Sequence, residues 1–310
     1  MDAPPPRLYA VVGATASGKG SLARALAVRL GAELLSVDSM KVYRGMDIGT
    51  AKPTRQERAL VPHHLLDLVE PVERFSVAQY LPAASRAEAD VRTRGRMPLY
   101  VGGTALYLKA LRQGIFPEAA RDADCRRALE ARVDREGATA LHRELAAVDP
   151  AAAQRIHPAD VKRLIRALEV FRTSGEPISG RQTQFAAPGR PVCWIGIRWP
   201  RAELVRRIDE RVERMLAAGW LEETRRLAEA GAFGTTSREA IGYRELLGHL
   251  RGDTTLDEAV RAIKTRTRQL ARRQRTWFRS FADIRWLEMD ATRRPEGPLE
   301  EAIDHFRRTP

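Results

Sequence analysis

The stretch Val11-Val12-Gly13-Ala14-Thr15-Ala16-Ser17-Gly18-Lys19-Gly20-Ser21-Leu22-Ala23-Arg24 constrains the fold of this chain more than any other. An apolar run, Leu8 to Val12, leads into a loop bounded by Gly13 and Gly18. A helical pattern follows, with Leu22, Leu26 and Leu30 at helical spacing and Gly31 as its stop. Strand, loop and helix in that order frame a GxxxxGK loop, in which backbone N–H groups, the positive end of a helix and the Lys19 ammonium converge on an anion. The expected ligand is a di- or triphosphate, held by Gly13, Thr15, Ala16, Ser17, Gly18, Lys19, Gly20 and Ser21. One position departs from the pattern. GxxxxGK is normally followed by Ser or Thr, whose hydroxyl binds Mg²⁺, and here Gly20 stands there with Ser21 one residue late. One residue on a helix is a rotation of about 100°, so the Ser21 hydroxyl does not simply replace the missing oxygen.

The rest of the chain can be placed around this loop. Ala32 to Val37 is apolar enough for a buried parallel strand and delivers Asp38-Ser39-Met40-Lys41 to its carboxyl end, where ligands sit in an open α/β sheet. Val42 to Pro53, with Arg44, Asp47, Thr50 and Lys52, reads as an ordered loop lining the site. His63 to Asp67 is a possible edge strand, and Phe75 to Arg92 a long helix. Met97 to Val101 is a strand that ends in Gly102-Gly103-Thr104, which puts Thr104 at the start of another helix beside the first site. From about Gly114 to Pro191 the texture is charged, alanine-rich and helical. Val192 to Trp199 then returns the chain to the sheet. Arg201 to Ala218 follows as a helix with an apolar stripe of Leu204, Ile208, Val212 and Met215, bordered by Arg211. The predicted fold is α/β, a P-loop NTPase-like parallel sheet flanked by helices. Its core is residues 1–114 and 191–310, and residues 115–190 form an inserted all-helical domain.

Charge points to a polyanionic partner. The 310 residues carry 53 Lys plus Arg against 40 Asp plus Glu, a formal net charge of +13, and each cation that meets a nucleic-acid phosphate releases a condensed counterion. Two helices concentrate the excess. In Lys162 to Glu169, the cations Lys162, Arg163 and Arg166 can share a face opposite Leu164, Leu168 and Phe171. From Lys264 to Arg279 there are seven cations (Lys264, Arg266, Arg268, Arg272, Arg273, Arg275, Arg279) and no acids. Ile263, Leu270 and Trp277 recur there every seven residues, so one face is expected to pack and the other to track a phosphate backbone. Cys125 and Cys193 read as reduced thiols, and the scattered histidines have no metal-ligand spacing. Met1 to Arg7 is proline-rich without the apolar core of a signal peptide, and no run approaches a membrane span. A cytoplasmic, monomeric protein is expected.

A diphosphate cradle, a carboxylate at the neighbouring strand end, a threonine at a third and basic helices narrow the chemistry. A kinase would use the cradle and the Asp38 carboxylate but leave the basic helix idle, and would lack the hydroxyl for Mg²⁺. A plain nucleic-acid binder would waste the cradle. A transferase joining a diphosphate-bearing donor to a nucleic-acid acceptor uses every part.

Over almost its full length the chain resembles the tRNA dimethylallyltransferase (isopentenyltransferase) family. The resemblance rests on Gly13 to Lys19, Asp38-Ser39-Met40 with Val42 to Pro53, His63-His64-Leu65, Val101 to Thr104, Arg163-Leu164 with Arg166 to Glu169, Arg238 to Arg244, Thr267 to Ala271 and Arg273-Gln274. The block from Asp38 to Pro53 is the most specific part. The resemblance implies transfer of a dimethylallyl group from dimethylallyl diphosphate to N6 of the adenosine at position 37 of tRNA, next to the anticodon. It makes Asp38 the general base, with Lys19 and Arg211 stabilising the departing diphosphate and Thr104 bridging acceptor and diphosphate. It places tRNA contacts at Asp38, Ser39, Met40, Lys41, Thr104, Arg126, Lys162, Arg163, Arg166, Arg238, Gly242, Tyr243, Arg244, Arg268 and Arg272, with the helical insertion clamping the anticodon arm. The flipped base would enter near Asp38 to Lys41. The resemblance also implies nucleotide binding at the loop and Mg²⁺ as cofactor, with ligation weakened by Gly20. Lys41 stands where the family usually has Gln.

Overall fold

The chain's structure, a computed structural model, describes residues 6–115, 122–181, 189–290 and 296–308. Residues 1–5 of the proline-rich start lie outside the described residues, as do 116–121 and 182–188 of the stretch expected to be helical. The chain divides into two units, Met1–Arg112 with Arg190–Pro310, and Gln113–Gly189.

In chain order the first unit begins with β1 (Leu8–Gly13), α1 (Lys19–Leu30), β2 (Ala32–Val37), α2 (Arg55–Leu60) and β3 (His63–His64). It continues with α3 (Val77–Thr93), β4 (Met97–Gly102) and α4 (Ala105–Gln113). The second unit holds α5 (Ala123–Glu136), α6 (Ala138–Val148), α7 (Pro150–Arg155), α8 (Val161–Ser174) and α9 (Ile178–Arg181). The chain then resumes the first unit with β5 (Val192–Arg198), α10 (Arg201–Ala217), α11 (Trp220–Glu229) and a 3-10 turn at Ser237–Glu239. It ends with α12 (Tyr243–Leu250), α13 (Leu256–Phe278), β6 (Arg285–Glu288) and α14 (Glu296–Arg308).

The six strands form one sheet in the order β3-β2-β4-β1-β5-β6, with every neighbouring pair parallel. The central strands β1, β4 and β5 are mostly apolar because both of their faces are covered. Leu8, Ala10 and Val12 of β1 pack with Leu35, Val37, Tyr100 and Trp194 against Tyr80, Ala84, Leu108 and Phe278 on one side. Val11 faces the other way, with Leu34, Leu99 and Ile195, onto Leu26 of α1 and Ile303 and Phe306 of α14. Two buried tyrosines on these faces are paired: the Tyr80 hydroxyl donates to Ser36 O (2.9 Å) and the Tyr100 hydroxyl to Glu88 Oε2 (2.8 Å). The edge strand is shorter than the apolar run suggests. Only His63 and His64 pair with β2, because Leu65 (φ 62°) and Asp67 (φ 55°) turn the chain away from the sheet.

The second unit is helical throughout its described residues and has its own core of Leu129, Leu141, Leu145, Leu164, Ile165 and Leu168. Asp149 ties its turns together by accepting from the amides of Ala152 and Ser179, both at 2.9 Å.

Helix α13 departs from the expected seven-residue stripe. Ile263, Ala271 and Phe278 are buried and Leu270 half-buried, while Trp277 is 37% exposed. A straight α-helix drifts about 20° per heptad, so two heptads carry the column off the core and the next residue, Phe278, takes the inward place. Its cations are also less free than the acid-free stretch from Lys264 to Arg279 implies. Lys264 pairs with Glu213 (2.7 Å), Arg266 with Glu245 (3.1 Å) and Arg268 with Asp209 (3.1 Å from Nε). The acids come from α10 and α12, out of sight of any pattern local to the helix.

Candidate active site

Because all strands run the same way, Gly13, Val37, Gly102 and Arg198 end at one edge of the sheet, and the segments after them build the site. After β1 the chain turns through Ala16 (φ 62°) and Gly18 (φ 90°), both in the left-handed region, a conformation free for Gly18 and costly for Ala16. The loop is held by its carbonyls. Lys19 Nζ donates to Ala14 O (3.1 Å), Arg207 Nε to Ala16 O (3.0 Å) and Trp199 Nε1 to Ser17 O (2.8 Å). The Arg207 guanidinium also lies 4.3 Å from the centre of the Trp199 indole. Below, Ala14 packs with Leu204, Ile208 and Ala271. The first-turn amides of α1 have no carbonyl one turn earlier to bond, so a loop fixed in this way is preset for an anion.

Asp38 and Thr104 stand at the two neighbouring strand ends. Asp38 Oδ1 accepts from the amides of Met40 (2.9 Å) and Lys41 (3.4 Å). Thr104 Oγ1 accepts from the Ser39 amide (3.2 Å), and Val37 O takes the amides of Gly103 and Thr104. One side chain from α13 joins this pair to the loop: Gln274 Oε1 accepts from the Thr15 amide (2.8 Å) and its Nε2 donates to Gly103 O (3.0 Å). Arg211 of α10 reaches the loop through Thr15 Oγ1 (3.3 Å). Thr15, Asp38, Ser39, Met40 and Arg211 line a cavity of about 270 Å³, whose apolar wall is Ile208, Val212, Met215, Trp220 and Leu270. A lining that combines these polar groups with an apolar wall suits a ligand with a charged head and a hydrocarbon tail.

The site is crowded with positive charge. Burial, with Arg211 and Lys41 nearby, pushes the Lys19 ammonium down to about 7 against the pull of Asp38. Burial likewise pushes Lys41 down to about 8, with Asp38 opposing and Arg211 and Arg24 adding to the shift, and lowers Arg211. Ammonium groups so destabilised are stabilised again by an incoming polyanion.

The wall between Asp47 and Gly49 is fastened by a residue that the sequence did not single out. The buried Glu223 carboxylate of α11 accepts from the amides of Asp47 (2.9 Å), Ile48 (2.8 Å) and Gly49 (3.1 Å) and from the Tyr243 hydroxyl (2.5 Å). The buried Lys52 ammonium bridges Asp47 (2.7 Å) and Asp67 (2.6 Å), so it knits the 42–53 loop from inside. Replacing Glu223→Ala strands three backbone donors, at about 1–3 kcal/mol each. The expected result is a loss of at least about 3 kcal/mol in urea unfolding; a loss below about 1 kcal/mol counts against the clamp.

The expected RNA-contact residues fall into three placements. Ser39, Met40 and Lys41 adjoin Asp38, and Arg244 and Arg272 are exposed. Tyr243 and Gly242 instead face inward: Tyr243 is fully buried, and a Cβ on Gly242 (φ 93°) would stand 1.9 Å from the Trp220 ring. Arg238 spends its guanidinium on Gly234 O (3.2 Å) and Phe233 O (3.1 Å), and Arg268 is paired with Asp209. Tyr243 thus backs the cavity wall, and Arg238 and Arg268 hold intramolecular partners. In the second unit, Lys162 and Arg163 are exposed, whereas Arg166 (3.0 Å) and Arg126 (3.9 Å) both approach the fully buried Glu169. Glu169 lies three residues after Arg166, on the adjoining face of the same helix, which draws that guanidinium inward.

Residues 41–281 match the family model for IPP transferase, and residues 6–64 match that for isopentenyl transferase. The chain belongs to the IPP transferase family. Among its relatives is the tRNA dimethylallyltransferase of Geobacter metallireducens, 50% identical over 285 residues that cover 91% of this chain and 92% of that protein. Another, from Anaeromyxobacter dehalogenans, is 48% identical and covers 91% and 94%. The crystal structure of the full-length tRNA isopentenylpyrophosphate transferase of Bacillus halodurans is similar at a TM-score of 0.69 and 39% identity, covering 97% of this chain and 99% of that one. A eukaryotic dimethylallyltransferase described as acting on tRNA matches at a TM-score of 0.80 and 26% identity, covering 99% and 81%. Gln274 lies in a segment that carries the resemblance to the IPP transferase family, whereas Arg207 and Glu223 lie in none of them. Arg207, Trp199, Gln274 and Glu223 come from elements distant in the chain.

Proposed function

We propose that this protein transfers a dimethylallyl group from dimethylallyl diphosphate to N6 of the adenosine at position 37 of tRNA, giving N6-(dimethylallyl)adenosine and diphosphate. The observation that carries this reading is that Asp38 lines the same cavity as Thr15 and Arg211 of the anion cradle, opposite an apolar wall. The adenine amine is a weak nucleophile, since its lone pair is delocalised into the ring. As its nitrogen bonds to the allylic carbon, the carbon–oxygen bond to diphosphate breaks and the amine proton passes to Asp38. Oδ1 is already engaged by two amides, which leaves Oδ2 for that proton. Lys19, Arg211 and the loop amides stabilise the charge that grows on the leaving oxygen. Thr104, whose hydroxyl accepts from the Ser39 amide beside Asp38, is assigned the bridge between acceptor and diphosphate.

The target base must leave its stack to reach Asp38, which costs least in a single-stranded loop such as the anticodon's. Lys162 and Arg163 in the second unit, and Arg244 and Arg272 in the first, are exposed cations suited to the RNA backbone, with Arg163 and Arg244 exchanging Asp160 (3.4 Å) and Glu239 (2.9 Å) for phosphate. We assign the second unit to the anticodon arm and expect a cytoplasmic monomer. No helix among the described residues is long and apolar enough to cross a membrane.

Mg²⁺, which the family resemblance brings with the diphosphate, lacks the hydroxyl that the loop motif usually offers it directly after the lysine. Gly20 has no hydroxyl, and the Ser21 hydroxyl accepts from Arg24 Nη2 at 3.4 Å. No step of the reaction is therefore assigned to it.

Incubation with labelled dimethylallyl diphosphate and unmodified tRNA tests the reading. Label is expected in RNA, in the nucleoside beside the anticodon. Label that stays in the small-molecule fraction, with phosphate transferred from ATP to a hydroxyl compound, would favour a kinase instead.

A further inference from the structure

The place left by the missing loop hydroxyl is covered. A Cβ added to Gly20 would stand 3.5 Å from Arg24 Nη1, one helical turn further along α1. That guanidinium is anchored: its Nη2 lies 2.6 Å from Glu57 Oε1 of α2 and 3.4 Å from Ser21 Oγ. Glu57 is itself fixed by the capping box at the start of α2, where it bonds the Thr54 amide at 2.8 Å. A cation thus stands over the helix start at the point where relatives of the loop motif hold a metal.

Lys41 adds a second cation. Its backbone amide is tied to Asp38, and its ammonium lies within electrostatic reach of Asp38, Arg211, Arg24 and Glu57, while Lys19 in turn feels Lys41 and Arg211. Lys41 thus joins Lys19, Arg211 and Arg24 in one cluster of positive charge beside Asp38. Mg²⁺ requires an octahedral set of oxygens, and fixed positive groups around the cradle repel it.

We propose that Arg24 and Lys41 neutralise the bound diphosphate in place of a divalent cation, so that this chain holds diphosphate without Mg²⁺. The proposal rests on the diphosphate reading of the loop but not on the identity of the acceptor. Protein cations in fixed positions make charge-assisted hydrogen bonds to phosphate oxygens, as a metal would make ionic ones, and they are present before the ligand arrives.

Calorimetric titration of the full-length protein with inorganic diphosphate, in EDTA and in excess Mg²⁺, is the test. The wild type is expected to bind in EDTA within about threefold of its affinity in Mg²⁺. Arg24→Leu and Lys41→Gln are each expected to weaken binding in EDTA about tenfold or more, with Lys41→Arg retaining it. The double variant Gly20→Thr, Lys41→Gln is expected to gain a dependence on Mg²⁺ that the wild type lacks. Thermal melts establish that each variant is folded. Wild-type binding that collapses in EDTA, or Lys41→Gln binding like the wild type, overturns the proposal. Absence of diphosphate binding in both buffers overturns it together with the reading of the loop. Metal-independent binding without transfer to tRNA keeps it and removes only the acceptor assignment.

Discussion

Asp38→Ala lowers transfer of the dimethylallyl group to tRNA at saturating substrates by about 10²–10⁴-fold. Loss of a positioned base slows the chemical step and leaves ground-state binding in place, so KM for both substrates should change little. Asp38→Asn is the sharper variant. Its carboxamide oxygen can accept from the Met40 and Lys41 amides as Oδ1 does, so the turn keeps its shape, yet it cannot take up the amine proton. Single-turnover transfer of labelled prenyl group, measured beside tRNA binding, checks this. A variant with unchanged kcat and raised KM would make Asp38 a binding residue only.

Lys19→Met has the second largest expected effect, a fall of about 10²–10³-fold in kcat for loss of one donor to the leaving group. It also carries a stability signature of opposite sign. Burial, Arg211 and Lys41 hold the Lys19 ammonium near 7, opposed by Asp38, against an ordinary value of 10.5. Between those limits the unfolded chain binds more protons than the folded one, so stability of the ligand-free protein rises with pH through that window. Lys41, held near 8, contributes in the same direction. Lys19→Met removes the larger part of this slope. The expected result is an inactive protein with a higher ligand-free Tm at pH 6–7. In the wild type, kcat/KM for the diphosphate substrate should fall as pH rises above about 7, because the ammonium form is the one that meets the anion. A flat profile from pH 6 to 9, together with a lower Tm in the variant, would show that Lys19 is a structural tie to Ala14 and little more.

Much of the sheet and its active edge was legible in the sequence, because both are written in local order. The run Leu8 to Lys19 gives a strand, a loop and a helix start within a few residues of one another. Asp38 and Thr104 follow strands at recognisable distances. What could not be read locally was supplied from elsewhere in the chain. The cations of α13 looked free because the stretch from Lys264 to Arg279 has no acids, yet Asp209, Glu213 and Glu245 reach it from other helices. Tyr243 sits in a motif-bearing segment but packs inward, since its hydroxyl completes the four donors on Glu223. The seven-residue spacing in α13 mimicked a packed stripe, although a straight helix has no seven-residue period.

The bond from Gln274 to Thr15 spans 259 positions of sequence. During synthesis the N-terminal segments leave the ribosome first, so the anion loop is made near the beginning and its latch near the end. Until α13 has docked, the Thr15 amide and Gly103 O lack the partner that sets their spacing. This edge of the sheet therefore takes its final spacing only after α13 has been made.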